Sequence, residues 1–242
     1  MGVLDYAEAR RKACRKCMEQ GIRLEHPSDI EGGLYDCPAV HTWSMWQDNL
    51  NTDIAIVGEY WGTVSQFIRQ RGENWGSNPG TRYLVDLLAT RNYRISLPEE
   101  SKDGMDAVFV TNAVLCMQCD DHDDSAAHWE RANNCSEHLR NTLAPISPPK
   151  IVALGPYAFY GVLLAYRQRV EAQQFRDRVE RVGFGKAAAA VWKRGGVCLD
   201  ERAWVYPMYN PGGQWGIVNR PMKDMIADWS LIPQKGALPP GT

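Results

Sequence analysis

Four short apolar segments constrain this fold most: Asp53–Val57, Ala107–Thr111, Lys150–Leu154 and Ala203–Tyr206 each read as a buried strand. Helical patterns lie between and after them, at Thr81–Thr90, Ser125–Leu143 (Ser125 in the N-cap position), Pro156–Arg181 and Asn219–Trp229. Strands that alternate with helices build a parallel or mostly parallel sheet. The expectation is an α/β fold: a mostly parallel four-stranded central sheet with helices on both faces. At 242 residues the chain suffices for one such domain. That domain is expected to span 1–232, with a polar and then alanine-rich helical insertion at about 168–194 and a disordered tail at 233–242.

Each strand runs into a short loop rich in Gly, Asn or aromatic residues. The loops are Gly58-Glu59-Tyr60-Trp61-Gly62, Thr111-Asn112-Ala113, Gly155-Pro156-Tyr157 and Met208-Tyr209-Asn210-Pro211-Gly212-Gly213. Open α/β sheets bind ligands beyond the carboxyl ends of their strands, so the chemistry is sought in these loops. No Walker loop and no GxGxxG follows the first strand, which disfavours a nucleotide-cofactor enzyme.

No apolar run approaches the roughly 20 residues of a membrane span, and the N-terminus lacks a basic-then-apolar signal. A cytoplasmic monomer with no membrane partner is expected. Seven cysteines without an export signal argue against a disulfide framework. Cys14 and Cys17 form a C-x-x-C pair, Cys116 closes the second apolar segment, and Cys135 lies in a helical pattern. Such a set can place four thiolates around one metal centre, an iron–sulfur cluster or zinc. Cys37, Cys119 and Cys198 read as free thiols, with Cys37 the substitute ligand. The formal net charge of −2 requires any nucleic-acid surface to be local. Arg69, Arg71, Arg82, Arg91 and Arg94 surround a Gly/Asn-rich loop, away from the acidic run Asp120, Asp121, Asp123 and Asp124.

The motif order resembles the uracil-DNA glycosylase superfamily, and most of all its iron–sulfur branch, family 4. The matching pieces are Gly58-Glu59-Tyr60-Trp61-Gly62, Thr111-Asn112-Ala113-Val114-Leu115-Cys116, Cys135, Leu154-Gly155-Pro156-Tyr157-Ala158, Arg194-Gly195 and Tyr209-Asn210-Pro211. The similarity runs from about Cys14 to Trp229 and implies the three-layer sandwich of that superfamily. It also implies a DNA glycosylase, which flips a base out of DNA and hydrolyses its N-glycosidic bond, with uracil or a related modified pyrimidine as the target. The implied cofactor is a structural [4Fe–4S] cluster on Cys14, Cys17, Cys116 and Cys135, with zinc as the alternative. The implied partner is DNA.

Residue roles follow from the same resemblance. Asn112 reads the base edge, since an amide offers both donor and acceptor. Gly58, Tyr60, Gly62 and Trp75 complete the base site, Trp75 standing near the family's stacking Phe. Glu59 orients water or favours the sugar cation; a carboxylate at a helix N-terminus is the alternative reading. Asn210 donates to the departing oxygen. Arg82, Gly212, Gly213, Gln214 and Trp215 meet the DNA, the glycines allowing close approach to phosphate and the last two filling the gap left by the flipped base.

The chain departs from the family pattern in three places. Asn210-Pro211 replaces His-Pro, as in the mismatch-specific branch. Tyr60-Trp61 replaces the usual Ala-Pro. Gly62 replaces the tyrosine that blocks the pyrimidine 5-position in the best-known uracil-excising branch, which implies space for a 5-substituent. Two further readings therefore stand beside base repair: a defence factor acting on hypermodified viral DNA bases, and a non-catalytic DNA-binding member.

Overall fold

The four apolar segments pair side by side in the computed structural model, which describes residues 5–36, 50–72, 78–97, 100, 103–121, 127–212 and 220–239. In chain order the strands are β1 (Leu24–Glu25), β2 (Ile54–Gly58), β3 (Phe109–Asn112), β4 (Met117–Gln118), β5 (Lys150–Leu154), β6 (Val197–Cys198) and β7 (Trp204–Met208). The central sheet has the order β3-β2-β5-β7-β6. Its first four strands are parallel, and β6 closes the edge antiparallel to β7. The sheet thus has five strands where four were expected. The extra one is a two-residue edge strand, too short to leave a pattern in the sequence.

The parallel strands are apolar at successive positions because both faces are covered. Ala55, Val57, Ile151, Ala153 and Val205 pack on one side. Against them lie α5 (His128–Leu143), α6 (Pro156–Ala165), α7 (Arg169–Val182) and α8 (Phe184–Trp192). Ile54, Ile56, Val152, Leu154, Tyr206 and Met208 face the other way. There they meet α4 (Pro79–Ala89) and α9 (Met222–Trp229), through Leu84, Leu87, Leu88, Met225 and Trp229.

The segment read as an insertion is α7 and α8. Ala172, Phe175, Ala187 and Val191 are buried in the same core as the sheet. Burying a side chain the size of Phe175 is worth roughly 1.5–3 kcal/mol, so these helices belong to the domain's own packing. The tail expected to be disordered from Pro233 is held through Ala237. Lys150, fully buried in β5, points its Nζ at Asp53 (2.9 Å), the Gln234 carbonyl (3.1 Å) and the Ala237 carbonyl (3.3 Å). A buried ammonium needs acceptors on all sides, and the tail supplies two of them.

The N-terminal segment is α1 (Asp5–Lys12), α2 (Lys16–Glu19), β1 and a 3₁₀ turn at Ile30–Gly33. It is tied to the main domain by the antiparallel pair β1–β4, with Leu24 opposite Gln118 and Glu25 opposite Met117. Among the described residues no helix is long and apolar enough to cross a membrane.

Candidate functional site

The carboxyl ends of β2, β3 and β5 and the loop after β7 converge on one cavity of about 120 Å³. The sheet contributes Ile56, Gly58, Val110, Asn112 and Leu154 to its wall. Across from them, α4 and its cap contribute Asn78, Gly80, Thr81 and Leu84. Tyr60 and Trp61 from the first loop, Gln66 from α3 (Val64–Arg69), and Asn210, Pro211 and Gly212 complete it.

Parallel register sets the centre of this site. Gly58 pairs with Asn112 at the last position of β2–β3. Ala113 and Val114 then donate to the carbonyls of Gly58 and Glu59, at 2.8 Å each, so the two loops leave the sheet together. A Cβ on Gly58 would collide with Asn112 Oδ1. Glycine is therefore what lets the Asn112 amide lie flat across the strand end. Asn112 is only 7% exposed, so its amide is held by packing.

Asn210 is fixed differently. Its Oδ1 accepts from the Gly212 N–H at 2.9 Å, an Asx turn. With its oxygen used in this way, Asn210 lines the cavity wall. The same loop rests on α4, because Gly212 Cα lies against Gly80. Tyr60 is held by a ring contact of 5.3 Å with His128, which itself meets Tyr157 at 4.7 Å. Trp61 packs edge-on against Phe67 at 5.8 Å and is largely core.

Three expectations change. Glu59 is not on the cavity wall. Its Oε1 accepts from the Tyr157 N–H at 3.1 Å, at the start of α6, so it is the carboxylate of a helix N-terminus. Burial pushes its carboxyl up to about 7, against the opposing effect of that backbone hydrogen bond. Gly62 opens no space. Its φ of +136° favours glycine, and the direction a side chain would take is filled by Gln66. Two arginines of the basic cluster are engaged with the protein's own backbone. Arg91 donates to the carbonyls of Ser230 and Ile232, and Arg94 to that of Gly104. Asp120, expected apart from the arginines, accepts from the Ser65 N–H and hydroxyl at the start of α3; the Ser65 and Thr63 hydroxyls hold its carboxyl low, and Arg69 adds to that. Arg82 is exposed on α4 beside the cavity. Trp75, Gly213, Gln214, Trp215 and Cys37 lie outside the described residues. Gln66, Asn78 and Thr81 were not singled out from the sequence, where an amide or hydroxyl near a helix start reads as a cap.

The four expected thiols lie at the seam between the N-terminal segment and the domain. Cys14 and Cys17 bracket the start of α2, Cys116 directly precedes β4, and Cys135 is on α5. Burial pushes Cys135 up to about 12 and Cys116 well above its usual value, and in both the other thiols raise it further. The four are thus within electrostatic range of one another. Among the described residues, no group of three or more His, Cys, Asp or Glu side chains stands at metal-ligating spacing.

The surroundings carry positive charge. Arg131 is 1% exposed, and its Nε, Nη1 and Nη2 have no hydrogen-bond partner among the described residues. Arg11, 2% exposed, uses Nη2 on Asp36 (2.6 Å) and leaves Nε and Nη1 unpartnered. Burial raises Cys17 as it raises Cys116, and Arg131 opposes that rise at Cys17 and Arg11 at Cys116, each as a lesser influence. Asn134 Nδ2 also donates to Cys17 Sγ at 3.4 Å. A buried guanidinium with no anion, as at Arg131, is costly, whereas Arg11 has Asp36. Thiolates holding a metal would supply negative charge beside Arg131, so the chemistry of the donor set, though not its spacing, fits a tetrathiolate centre.

Comparison with models of known protein families, and with curated proteins, finds no match for this chain.

The position of Glu59 has a pH consequence. Its raised pKa contributes stability that is complete below about 4.5 and is lost as pH rises through about 7. Glu59→Gln removes that loss. Urea unfolding of the two proteins should show the variant gaining on the parent between those pH values, by roughly 2 kcal/mol at the alkaline end after allowance for partial exposure.

Proposed function

We propose that this chain is a DNA glycosylase related to the uracil-DNA glycosylase superfamily, with a flipped base held in the cavity at the carboxyl edge of the sheet. The observation that carries this reading is convergence. Gly58, Asn112 and Asn210 come from three different strand ends and line one cavity. The cavity is built from uncharged amides and hydroxyl-bearing side chains over an apolar floor of Ile56, Val110, Leu84 and Leu154. That chemistry suits a neutral heterocycle with a polar edge, not a phosphate or a charged metabolite.

In this reading the Asn112 amide hydrogen-bonds the base edge and fixes the ring plane. Tyr60 offers its face or edge to the ring. The C1′–N bond breaks with its electron pair leaving on the base, while water adds to the sugar carbon and the proton it releases ends on the departed base. Negative charge grows on the base oxygens, and Asn210 Nδ2 donates to one of them. The Asx turn keeps that donor in place before the reaction, so no reorganisation is required when charge develops. Glu59 sets the first loop by gripping α6 and acts on the reaction through Tyr60 and Gly58, its chain neighbours.

Cys14, Cys17, Cys116 and Cys135 would hold a [4Fe–4S] cluster, with zinc as the alternative. The group's contribution would be structural, joining α1, α2 and β1 to α5 and to the loop after β3. The placement of Glu59 away from the cavity favours a second reading, a protein that holds a base without cleaving it. The same assay separates the two.

Oligonucleotide duplexes carrying a single uracil or 5-substituted pyrimidine, followed by detection of abasic sites, test the reaction. Asn112→Ala should lower kcat/KM by about 10²–10³, and Asn210→Ala by a similar factor, as loss of a pre-placed donor does elsewhere. Binding without abasic-site formation in the parent protein would select the non-catalytic reading.

Metal content is tested separately. Protein prepared without oxygen should be brown, absorb broadly near ~400 nm and contain iron and sulfide. Colourless protein with one zinc would give the seam to zinc. Either way, Cys17→Ala should lower the thermal unfolding temperature before it changes any catalytic constant, because the metal's binding energy is folding energy.

A further inference from the structure

The two helices expected as an insertion, α7 and α8, meet in a turn beside the cavity. Gln168, just before α7, donates to the Leu199 carbonyl at 2.9 Å. The Leu199 N–H donates to Ala203, just ahead of β7, so α7 starts at the amino edge of the sheet. Its 14 residues rise roughly 21 Å, enough to cross a strand of β7's length. At the far end Phe184, the first residue of α8, meets the Tyr209 ring at 5.0 Å, and a Cβ on Gly185 would strike the Tyr209 hydroxyl. Tyr209 follows β7 directly and precedes Asn210, which lines the cavity. The turn at Gly183, with φ +81°, therefore stands at the carboxyl edge, next to the cavity wall.

This turn carries cations that the protein itself does not use. Elsewhere arginines are held internally: Arg91 and Arg94 by carbonyls, Arg194 by Glu171 and Arg220 by Asp228. Arg178, Arg181 and Lys186 are exposed, and none has a hydrogen bond or ion pair to another described residue. Arg178 and Arg181 are three apart and share one side of α7. Lys186 follows in the first turn of α8. The carboxylates of the same stretch are engaged, Glu180 with Arg176 at 2.9 Å and Asp177 with Gln173 at 2.7 Å. Residues 176–186 thus hold four cations against two carboxylates, in a chain whose formal net charge is −2. A locally positive edge in an acidic chain suits a polyanion that lies along that edge.

We propose that the α7–α8 turn is a phosphate-binding surface on which Arg178, Arg181 and Lys186 hold the DNA backbone beside the flipped nucleotide. This rests on the base-excision reading above and adds to it a surface that none of the cavity loops supplies. Phosphate contacts fix register and orientation and carry no sequence information, so the turn sets where the backbone lies without choosing the base. Arg82 is exposed on α4, which covers the opposite face of the sheet, so the backbone is met from both layers.

Binding of a duplex with one central uracil, followed by fluorescence anisotropy over a range of salt, tests the proposal. The full chain is compared with a triple variant, Arg178→Ala with Arg181→Ala and Lys186→Ala. A control, Arg140→Ala with Arg169→Ala and Arg202→Ala, removes the same charge near the end of α5, at the start of α7 and between β6 and β7. All six side chains are exposed, so the three proteins should melt alike. Each phosphate contact contributes roughly 0.9 to the slope of log affinity against log salt. The turn variant should therefore lose about 2–3 of that slope and bind at least ~10-fold more weakly near about 0.1 M salt, while the control keeps the parent's slope. The inference is overturned if the turn variant keeps the parent's slope and affinity, or if the control loses as much, which would make the effect one of net charge. Abasic-site formation by the parent reads base excision separately, so either of those results beside an active parent leaves base excision standing. A parent that neither binds the duplex nor excises the base overturns base excision itself, and this inference with it.

Discussion

No side chain fits between the last residue of β2 and the amide that lies across it. That one steric fact, Gly58 against Asn112, organises the functional end of the molecule. β2 sits inside the sheet with a parallel partner on each side, so its register is fixed along both edges. Register places Asn112 beside Gly58, and the bonds from Ala113 and Val114 carry both loops away together. Tyr60 and Glu59 then have little choice of direction. Tyr60 turns to His128, and Glu59 turns to the N-terminus of α6. A cavity is left where the β2 and β3 chains part, closed from above by α4 and by the Asn210 loop resting on Gly80.

The second organising feature is buried positive charge. Lys150, Arg11 and Arg131 are each at most 2% exposed. Lys150 is satisfied by Asp53 and by the carbonyls of the C-terminal segment, which explains why that segment is held. Arg131 has no such partners and stands near the thiols. The contrast between a fully satisfied cation and an unsatisfied one is what gives the cysteine seam its meaning. In the proposed reading a thiolate-bound metal does for Arg131 what Asp53 does for Lys150.

The parallel strands were legible because strands covered on both faces are apolar at every position, a pattern that survives without any tertiary information. β6 was not, because two residues at an edge have no period. The ends of the strands pointed to Asn112 and Asn210, since loops after parallel strands are where ligands sit. Side-chain direction was beyond reach. Glu59 and Gly58 are neighbours in sequence, yet one grips a helix and the other lines the cavity. Gly62 looked like empty space until Gln66, four residues on, proved to fill it. The arginines are close together in the chain, but Arg91 and Arg94 reach carbonyls on other segments. Lys150 was the one sequence sign of an ordered tail: a lysine at the start of a buried strand must find acceptors somewhere.

The central claim is that the cavity between β2, β3 and α4 holds a base drawn out of DNA. The most direct measurement is a crystal structure with a short duplex carrying one pyrimidine nucleotide whose glycosidic bond resists hydrolysis. The account predicts that this base leaves the stack and lies in the cavity, its polar edge within hydrogen-bond distance (about 2.7–3.2 Å) of the Asn112 amide, with Asn210 Nδ2 facing a ring oxygen. A base still stacked in the duplex, or density for it anywhere other than the wall formed by Asn112, Thr81 and Tyr60, would contradict the account.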